Sequence, residues 1–398
     1  MEANMEYSTI KAVPENYVTP CYVFDLDKLQ ERMELTQSIL GEHATVCYAM
    51  KANPFVVGEM NPYTSKYEVC SPGEYEICHR EGIHPSKIVV SGVNKTEDSM
   101  RGIMELSQGQ GIFTIESEEH YHILSKVCEE QETQIKILIR LSSGNQFGMD
   151  KEHFEKVLLQ VQEDCNMELE GLHYYSGTQK KPKKVEKELA ALQEYAVHLK
   201  ETYGITLKEL EYGPGLSVTY FQNEEPLDVR LQLEELRAQL EQVSEFEKIT
   251  IEMGRFLASN CGYYCTRVMD TKTSNGINYA IVDGGIHQLN FYGQMMGMKI
   301  PHMWYLPQEE KESEAEVPWT ICGSLCTVND VIVKGAMLPD LKKGDCLVFE
   351  NCGAYSVTEG MALFLSRELP QVMFYKKENG FSIARELTEI NTWNAMRR

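Results

Sequence analysis

Between residues 45 and 255 the chain alternates short apolar runs with longer amphipathic stretches, and no other feature limits its fold as much. The runs are TVCYAMK, KYEVCS, KIVVSGV, GIFTIES, IKILIRLS, LEGLHYYSG, LEYGPG and ITIEMGR. Intervening stretches such as PGEYEICHREG, SEEHYHILSKVCEE, EHFEKVLLQVQEDC, KVEKELAALQEYAVHLKETYG and LQLEELRAQLEQVSEF space their apolar residues as helices do. Strands that alternate with helices read as parallel βαβ units, and about eight of them predict an α/β fold of the (β/α)8 TIM-barrel type. An open doubly wound sheet is the competitor, and no G-x-G-x-x-G follows the first strand to support it.

After residue 265 the texture changes. CTRVMDTKTSNGINYAIVDGG, WTICGSLCTVNDVIV, GDCLVFENCGAYSV and QVMFYKKENGFSIARE are rich in strand formers and punctuated by Asn-Gly, Gly-Gly and Lys-Gly-Asp. The expected division is a barrel over 27–265 and a mostly antiparallel β domain from 1–26 and 266–398, which takes in the early strand CYVFDL. PQEEKESEAEVP reads as a solvated acidic loop.

Composition narrows the function. The 398 residues suit two domains, and a net charge of −22 argues against a nucleic-acid surface or an anionic membrane face. No apolar run approaches the roughly 20 residues a membrane helix needs. The opening MEANMEYSTIKAVPENYVTP lacks the apolar core of a signal peptide, so a cytoplasmic location is expected. The 12 cysteines are scattered without a C-x-x-C pair. The closest spacings, Cys261/Cys265 and Cys322/Cys326, have no second pair or nearby histidines. Reduced, mostly buried thiols are expected, and no metal site.

Barrels carry their chemistry at the C-terminal ends of the strands, and the unusual residues of this chain fall there. Lys51 ends the first strand, Ser71 and Pro72 the second, and His173 to Gln179 the sixth. Gly213-Pro214-Gly215 ends the seventh, and Glu252 with Arg255 the eighth. Each has a plainer reading. Lys51 could reach solvent, Gly-Pro-Gly could be a turn, Glu252 could cap a helix, Arg255 could serve a surface ion pair, and His173 could be packed and hydrogen-bonded. Together they match the three handles of pyridoxal phosphate. A lysine buried among apolar groups offers an amine of lowered pKa for the aldehyde. A carboxylate pairs with the ring nitrogen, and a glycine turn with an arginine holds the phosphate.

These motifs resemble, from about residue 20 to about 375, the fold-type III pyridoxal-phosphate decarboxylases, the ornithine/diaminopimelate/arginine decarboxylase group with its alanine-racemase-like fold. YAMKANP resembles the motif of the cofactor-binding lysine, here Lys51. EMGR resembles the Glu-Pro-Gly-Arg motif, with Met253 for proline, and implies that Glu252 faces the ring nitrogen. GPGL resembles the glycine loop, with Gly213 and Gly215. GLHYYSGTQ places Tyr175 where the family stacks a histidine on the ring, with Gly177 following. CGSLCTVNDVI implies Cys326 as proton donor with Thr327 and Asp330 on the substrate side, and FENCGAYSV implies Tyr355 as a phosphate contact. The resemblance also implies a homodimer in which Cys326 reaches the partner's barrel.

The expected reaction is loss of the α-carboxylate of an amino acid as CO2, followed by return of a proton to Cα. Two departures bear on the substrate. The residue after the motif cysteine is acidic in enzymes that hold a distal amino group, and here it is Thr327. Diaminopimelate decarboxylases carry an arginine shortly after the VDxG motif, and VDGGIHQLNFYGQ has none. A dibasic amino acid would lose roughly 1.5–3 kcal/mol per missing charged hydrogen bond. YFQNEEPLDV, GGIHQ, QFGMD and LCTVND resemble a narrower branch that acts on amino acids tethered to acyl carrier proteins, such as the glutamyl-carrier decarboxylase of butirosin biosynthesis. Lys180, Lys181, Lys183 and Lys184 could dock such a carrier, although a solvated loop is the simpler reading. The alternatives are a diaminopimelate decarboxylase, an amino-acid racemase, a non-enzymatic pyridoxal-phosphate carrier and a cofactor-free barrel hydrolase. The carboxylate at 252 disfavours the racemase, and the second domain disfavours the carrier.

Overall fold

The structure, a computed structural model, describes residue 5 and residues 7–309 and 315–396. Residues 310–314 of the expected acidic loop lie outside the described residues. The chain divides into two compact units. One comprises residues 32–217 and 227–256. The other takes the described residues up to 31, then 218–226, then those from 257 onward.

The first unit is the barrel. After β1 (Cys21–Asp25), which belongs to the other unit, come β2 (Thr45–Ala49), β3 (Lys66–Val69), β4 (Ile88–Val90) and β5 (Ile112–Ile115). They continue with β6 (Ile135–Arg140), β7 (Met167–Tyr175), β8 (Glu209–Gly213) and β9 (Lys248–Met253). β2 to β9 close into a parallel barrel, so all eight predicted runs become barrel strands. The helices between them start where the sequence supplies caps. Ser71 accepts from the Glu74 N–H at the head of Pro72–Arg80, and Thr96 and Ser99 form a reciprocal capping box on Glu97–Ser107. Asp150 and Asp228 cap Lys151–Glu163 and Val229–Leu240 in the same way.

Two sides of the barrel interior differ in polarity. Cys47, Val89, Ile112 and Leu138 form an apolar cluster. Register places Lys66 and Glu252 beside Cys47, and His173 and Thr250 beside Glu211. Lys66, Glu68, His173, Glu209, Glu211, Thr250 and Glu252 are all buried. Charges taken out of water persist only when opposite charges or hydrogen bonds meet them. This interior therefore has to be an ordered ionic network.

The second unit is mostly antiparallel. Its strands are β10 (Gly262–Ser274), β11 (Ile277–Val282), β12 (Met303–Leu306), β13 (Val317–Cys322), β14 (Val331–Leu338), β15 (Cys346–Phe349), β16 (Gln371–Lys376) and β17 (Gly380–Arg385). The main sheet runs β14-β13-β11-β10-β1-β16-β17, with β15 joining β10 and β12. β1 pairs antiparallel with β10 and parallel with β16. Cys21, Val23, Tyr263, Cys265, Val348 and Met373 anchor its core.

The seam differs from the expected one. It falls after 31 and after 256 rather than after 26 and 265, because β10 begins at Gly262 and pairs with β1. Residues 218–226 also join the β unit. The Gln222 N–H bonds the Ile300 carbonyl at 2.9 Å, and the Tyr220 and Ser259 hydroxyls meet at 2.9 Å.

Candidate active site

Lys51 lies at the C-terminal mouth of the barrel. β2 stops at Ala49, two residues earlier than predicted, and Met50–Ala52 form a 3-10 turn that carries Lys51 out of the strand. Gly254 lets this turn approach β9, since a Cβ there would lie 2.8 Å from the Ala52 Cβ. The expectation of an amine buried among apolar groups is corrected here. The Lys51 side chain is 39% exposed, and its Nζ sits 2.8 Å from Glu68 Oε2 and 3.7 Å from Glu252 Oε1. Cys70 Sγ lies 3.6 Å away. The amine is held by two carboxylates, because the chain turns before the ammonium would have to enter apolar surroundings.

Glu252 is buried and accepts a 3.0 Å hydrogen bond from His173 Nε2 on its other oxygen. Burial pushes its carboxyl up, but Lys51, the bond from His173 and the charge of Arg140 outweigh that and hold it well below the usual carboxylate range. Glu252 is therefore an anion near the C-terminal end of β9. Arg140, at the end of β6, donates to Glu116 at 3.1 Å and lies 5.0 Å over the Phe147 ring. Glu211 is fully buried beneath, 3.8 Å from the Lys66 ammonium. One ligand atom from each of His173, Glu211 and Glu252 falls within 4.8 Å of the others.

The predicted glycine turns abut. Gly215 has φ +61, and a Cβ there would strike the Gly177 carbonyl oxygen. A Cβ on Gly213 would strike the Tyr175 ring. Gly177, at φ +119, faces space with nothing within 4 Å of where its Cβ would be. Such a concave, side-chain-free backbone is the geometry that phosphate oxygens need. Arg255 is half-buried at the start of the turn of helix Arg255–Ala258 that follows β9. Lys180 leaves the proposed basic docking run, since it is buried and donates to Glu188 Oε2 and the Gly213 carbonyl, each at 2.8 Å. It braces the glycine turns from below. Lys181, Lys183 and Lys184 remain exposed.

The second unit carries the other predicted residues. Cys326 is exposed on the loop between β13 and β14, and Thr327 beside it is half-buried. Asp330 is buried, and its two oxygens accept the N–H groups of Ile286 at 2.8 Å and Leu325 at 2.7 Å. Its visible work is to hold the loop that presents Cys326. Tyr355 is half-buried with φ +68, and its carbonyl accepts from Thr358 and Glu359.

Sequence reading missed Glu68, His173 as the partner of Glu252, and Glu211. The signal was present as charges at every second position of strands that should be buried on both faces, namely Lys66 and Glu68 in KYEV and Glu209 and Glu211 in ELEYG. The barrel also opens at its N-terminal end into a cavity of about 490 Å³ lined in part by Lys66, Lys136, Glu209 and Lys248. No predicted site residue falls there.

The donor set suits pyridoxal phosphate in kind: an amine at the mouth, an anionic carboxylate on the neighbouring strand, and a backbone cradle. Among curated proteins the chain is 26% identical to the L-glutamyl-[BtrI acyl-carrier protein] decarboxylase of Niallia circulans, over 96% of this chain and 94% of that one. It is likewise 26% identical to a diaminopimelate decarboxylase of Campylobacter jejuni, over 88% and 89%. Diaminopimelate decarboxylase from Helicobacter pylori complexed with L-lysine superposes with TM-score 0.83 at 21% identity, covering 96% of this chain and 97% of that one, which supports the fold. The family model for the pyridoxal-dependent decarboxylase, pyridoxal binding domain, matches residues 26–259. With lysine, carboxylate and cradle all lying inside that match, this chain belongs to the pyridoxal-dependent decarboxylases.

Proposed function

We propose that the enzyme removes the α-carboxylate of an amino acid whose distal end carries no free ammonium group, with a carrier-tethered acyl amino acid as the favoured substrate. One observation carries the substrate reading. In the loop that presents Cys326, the following residue is Thr327, and both oxygens of Asp330 are engaged by backbone N–H groups. This loop therefore offers no free carboxylate to a distal ammonium. The similarity to a glutamyl-carrier decarboxylase supports the same reading.

When bound, pyridoxal phosphate supplies an electron sink for the charge left on Cα as CO2 departs. The chain supplies the rest. Lys51 Nζ would hold the aldehyde end, away from its present contact with Glu252, because the ring nitrogen lies across the ring from the aldehyde. Glu252, kept anionic, retains a proton on the ring nitrogen, which strengthens the sink. Gly177, Gly213, Gly215 and Arg255 hold the phosphate, and Tyr175 supplies an aromatic face. Cys326 is the thiol that returns a proton to Cα, and Tyr355 is a further phosphate contact. Both act in a homodimer on this reading. The residues of the second unit include Val328 at 90% exposure and Met298 at 65%, apolar surface that a second copy would cover.

The test is CO2 release from meso-diaminopimelate, lysine, ornithine, free glutamate and a glutamyl-carrier conjugate. Release from the conjugate and not from the dibasic amino acids is expected. Efficient turnover of diaminopimelate would overturn the inference from Thr327 and Asp330.

A further inference from the structure

Three buried polar atoms near Glu252 have no hydrogen-bond partner among the described residues: Oε1 and Oε2 of Glu211 and Nδ1 of His173. Orphaned buried groups are costly, and three together in one barrel interior call for a common explanation. A metal ion is a poor one. Lys66 Nζ is already 3.8 Å from Glu211, and Lys51 Nζ is 3.7 Å from Glu252, so a dication would meet two ammonium groups.

A single proton on Glu211 accounts for two of them, the oxygen that carries it and the histidine nitrogen that can accept its hydrogen bond. His173 meets the Glu252 carboxylate through Nε2 at 3.0 Å, and only the tautomer with hydrogen on Nε2 makes that contact attractive. In the neutral imidazole that leaves Nδ1 as an acceptor needing a donor. Glu211, if it keeps its proton, is that donor. His173 and Glu211 sit opposite each other in register on β7 and β8, and a ring nitrogen of His173 lies within 4.8 Å of a Glu211 oxygen.

We propose that Glu211 is a positioning residue that holds a proton against His173 and so fixes the imidazole tautomer that donates to Glu252. The inference rests on the reading that Glu252 faces the ring nitrogen of the cofactor. The groups facing Glu211 are Lys66 on β3, His173 on β7, Glu252 on β9, Cys47 on β2 and Glu209 on its own strand. Burial raises the Glu211 carboxyl to about 7, although Lys66 and His173 pull the other way. The proton is thus held in mildly acidic solution, about half retained near pH 7 and lost in mildly alkaline solution.

The test is titration of apo-protein with pyridoxal 5'-phosphate from about pH 5.5 to about pH 9, following visible absorption, for the parent, Glu211→Gln and Glu211→Leu. The parent should bind about tenfold more weakly once Glu211 ionises. Glu211→Gln, whose amide N–H replaces the acid O–H, should match the parent at low pH and lack that step. Glu211→Leu should bind about tenfold more weakly throughout, with circular dichroism checking its fold. The proposal fails if the step survives in Glu211→Gln, or if folded Glu211→Leu binds like the parent at every pH. Should Glu211→Leu not fold, the Gln variant decides alone. A parent that takes up no cofactor, or a visible absorption that survives Lys51→Ala, would instead sink the reading of the whole site.

Discussion

A carboxyl such as Glu211, fully buried with neither oxygen hydrogen-bonded among the described residues, costs stability whenever it is ionised. Its folded value of about 7 lies above the ordinary 4.5, so the folded state binds the proton more tightly than the unfolded chain. Its contribution is fully present below pH 4.5 and is lost as pH climbs through about 7. Glu211→Gln should therefore gain roughly 3 kcal/mol on the parent between about pH 5 and about pH 8, read as urea midpoints at the two values. Equal midpoint differences at both would place the proton elsewhere. Glu252 is the opposite case, an anion held by Lys51, His173 and Arg140. Glu252→Gln should still take up the cofactor, yet lower kcat by about 10²-fold or more, since a neutral amide cannot hold the ring proton. A kcat within about threefold of the parent would remove it from that role. Lys51 and Glu252 were legible as motif residues. What meets them was not: His173 was read only as a packed, hydrogen-bonded residue, and the alternating charges of KYEV and ELEYG mark Glu68 and Glu211 without naming a partner on another strand.

Among the elements, the glycine turns after β7 and β8 are the most exacting. Gly215 is left-handed and abuts the Gly177 carbonyl, so Gly215→Ala meets both backbone strain of about 1–2 kcal/mol and a steric block that no flexible side chain can relieve. Cofactor affinity should fall at least about tenfold while circular dichroism stays unchanged, because the strain opens the cradle rather than the barrel. Retained affinity would show that phosphate binds elsewhere. The eight strands and their capped helices could be read from spacing alone. The end of β2 could not, since TVCYAMK is apolar through Met50 and only the 3-10 turn at Met50–Ala52 brings Lys51 between Glu68 and Glu252. Lys180 was misjudged for a related reason. In sequence it belongs to a basic run, but Glu188 waits one helical stretch later to bury it.

For the whole molecule, a net charge of −22 sets how large partners approach. An acidic carrier protein is repelled at long range, and salt shortens that range from about 30 Å at 0.01 M to about 8 Å at 0.15 M. With a carrier-tethered substrate, kcat/KM should rise over that interval, while a free amino acid should show little change. A fall with salt would reveal a local basic surface, and Lys181, Lys183 and Lys184 would be the first to mutate. What the linear chain determined by itself is the order and type of its elements: period and capping act over a few residues, so a barrel followed by a β domain, and the glycine and lysine motifs at strand ends, are written locally. What only the tertiary structure decided is which charges meet. Residues 51, 68, 173, 211 and 252 come from five different strands or strand ends, and their protonation depends on burial and on neighbours far away in sequence. Barrel closure brings them within a few ångströms in a medium that screens charge weakly, and there the chemistry is set.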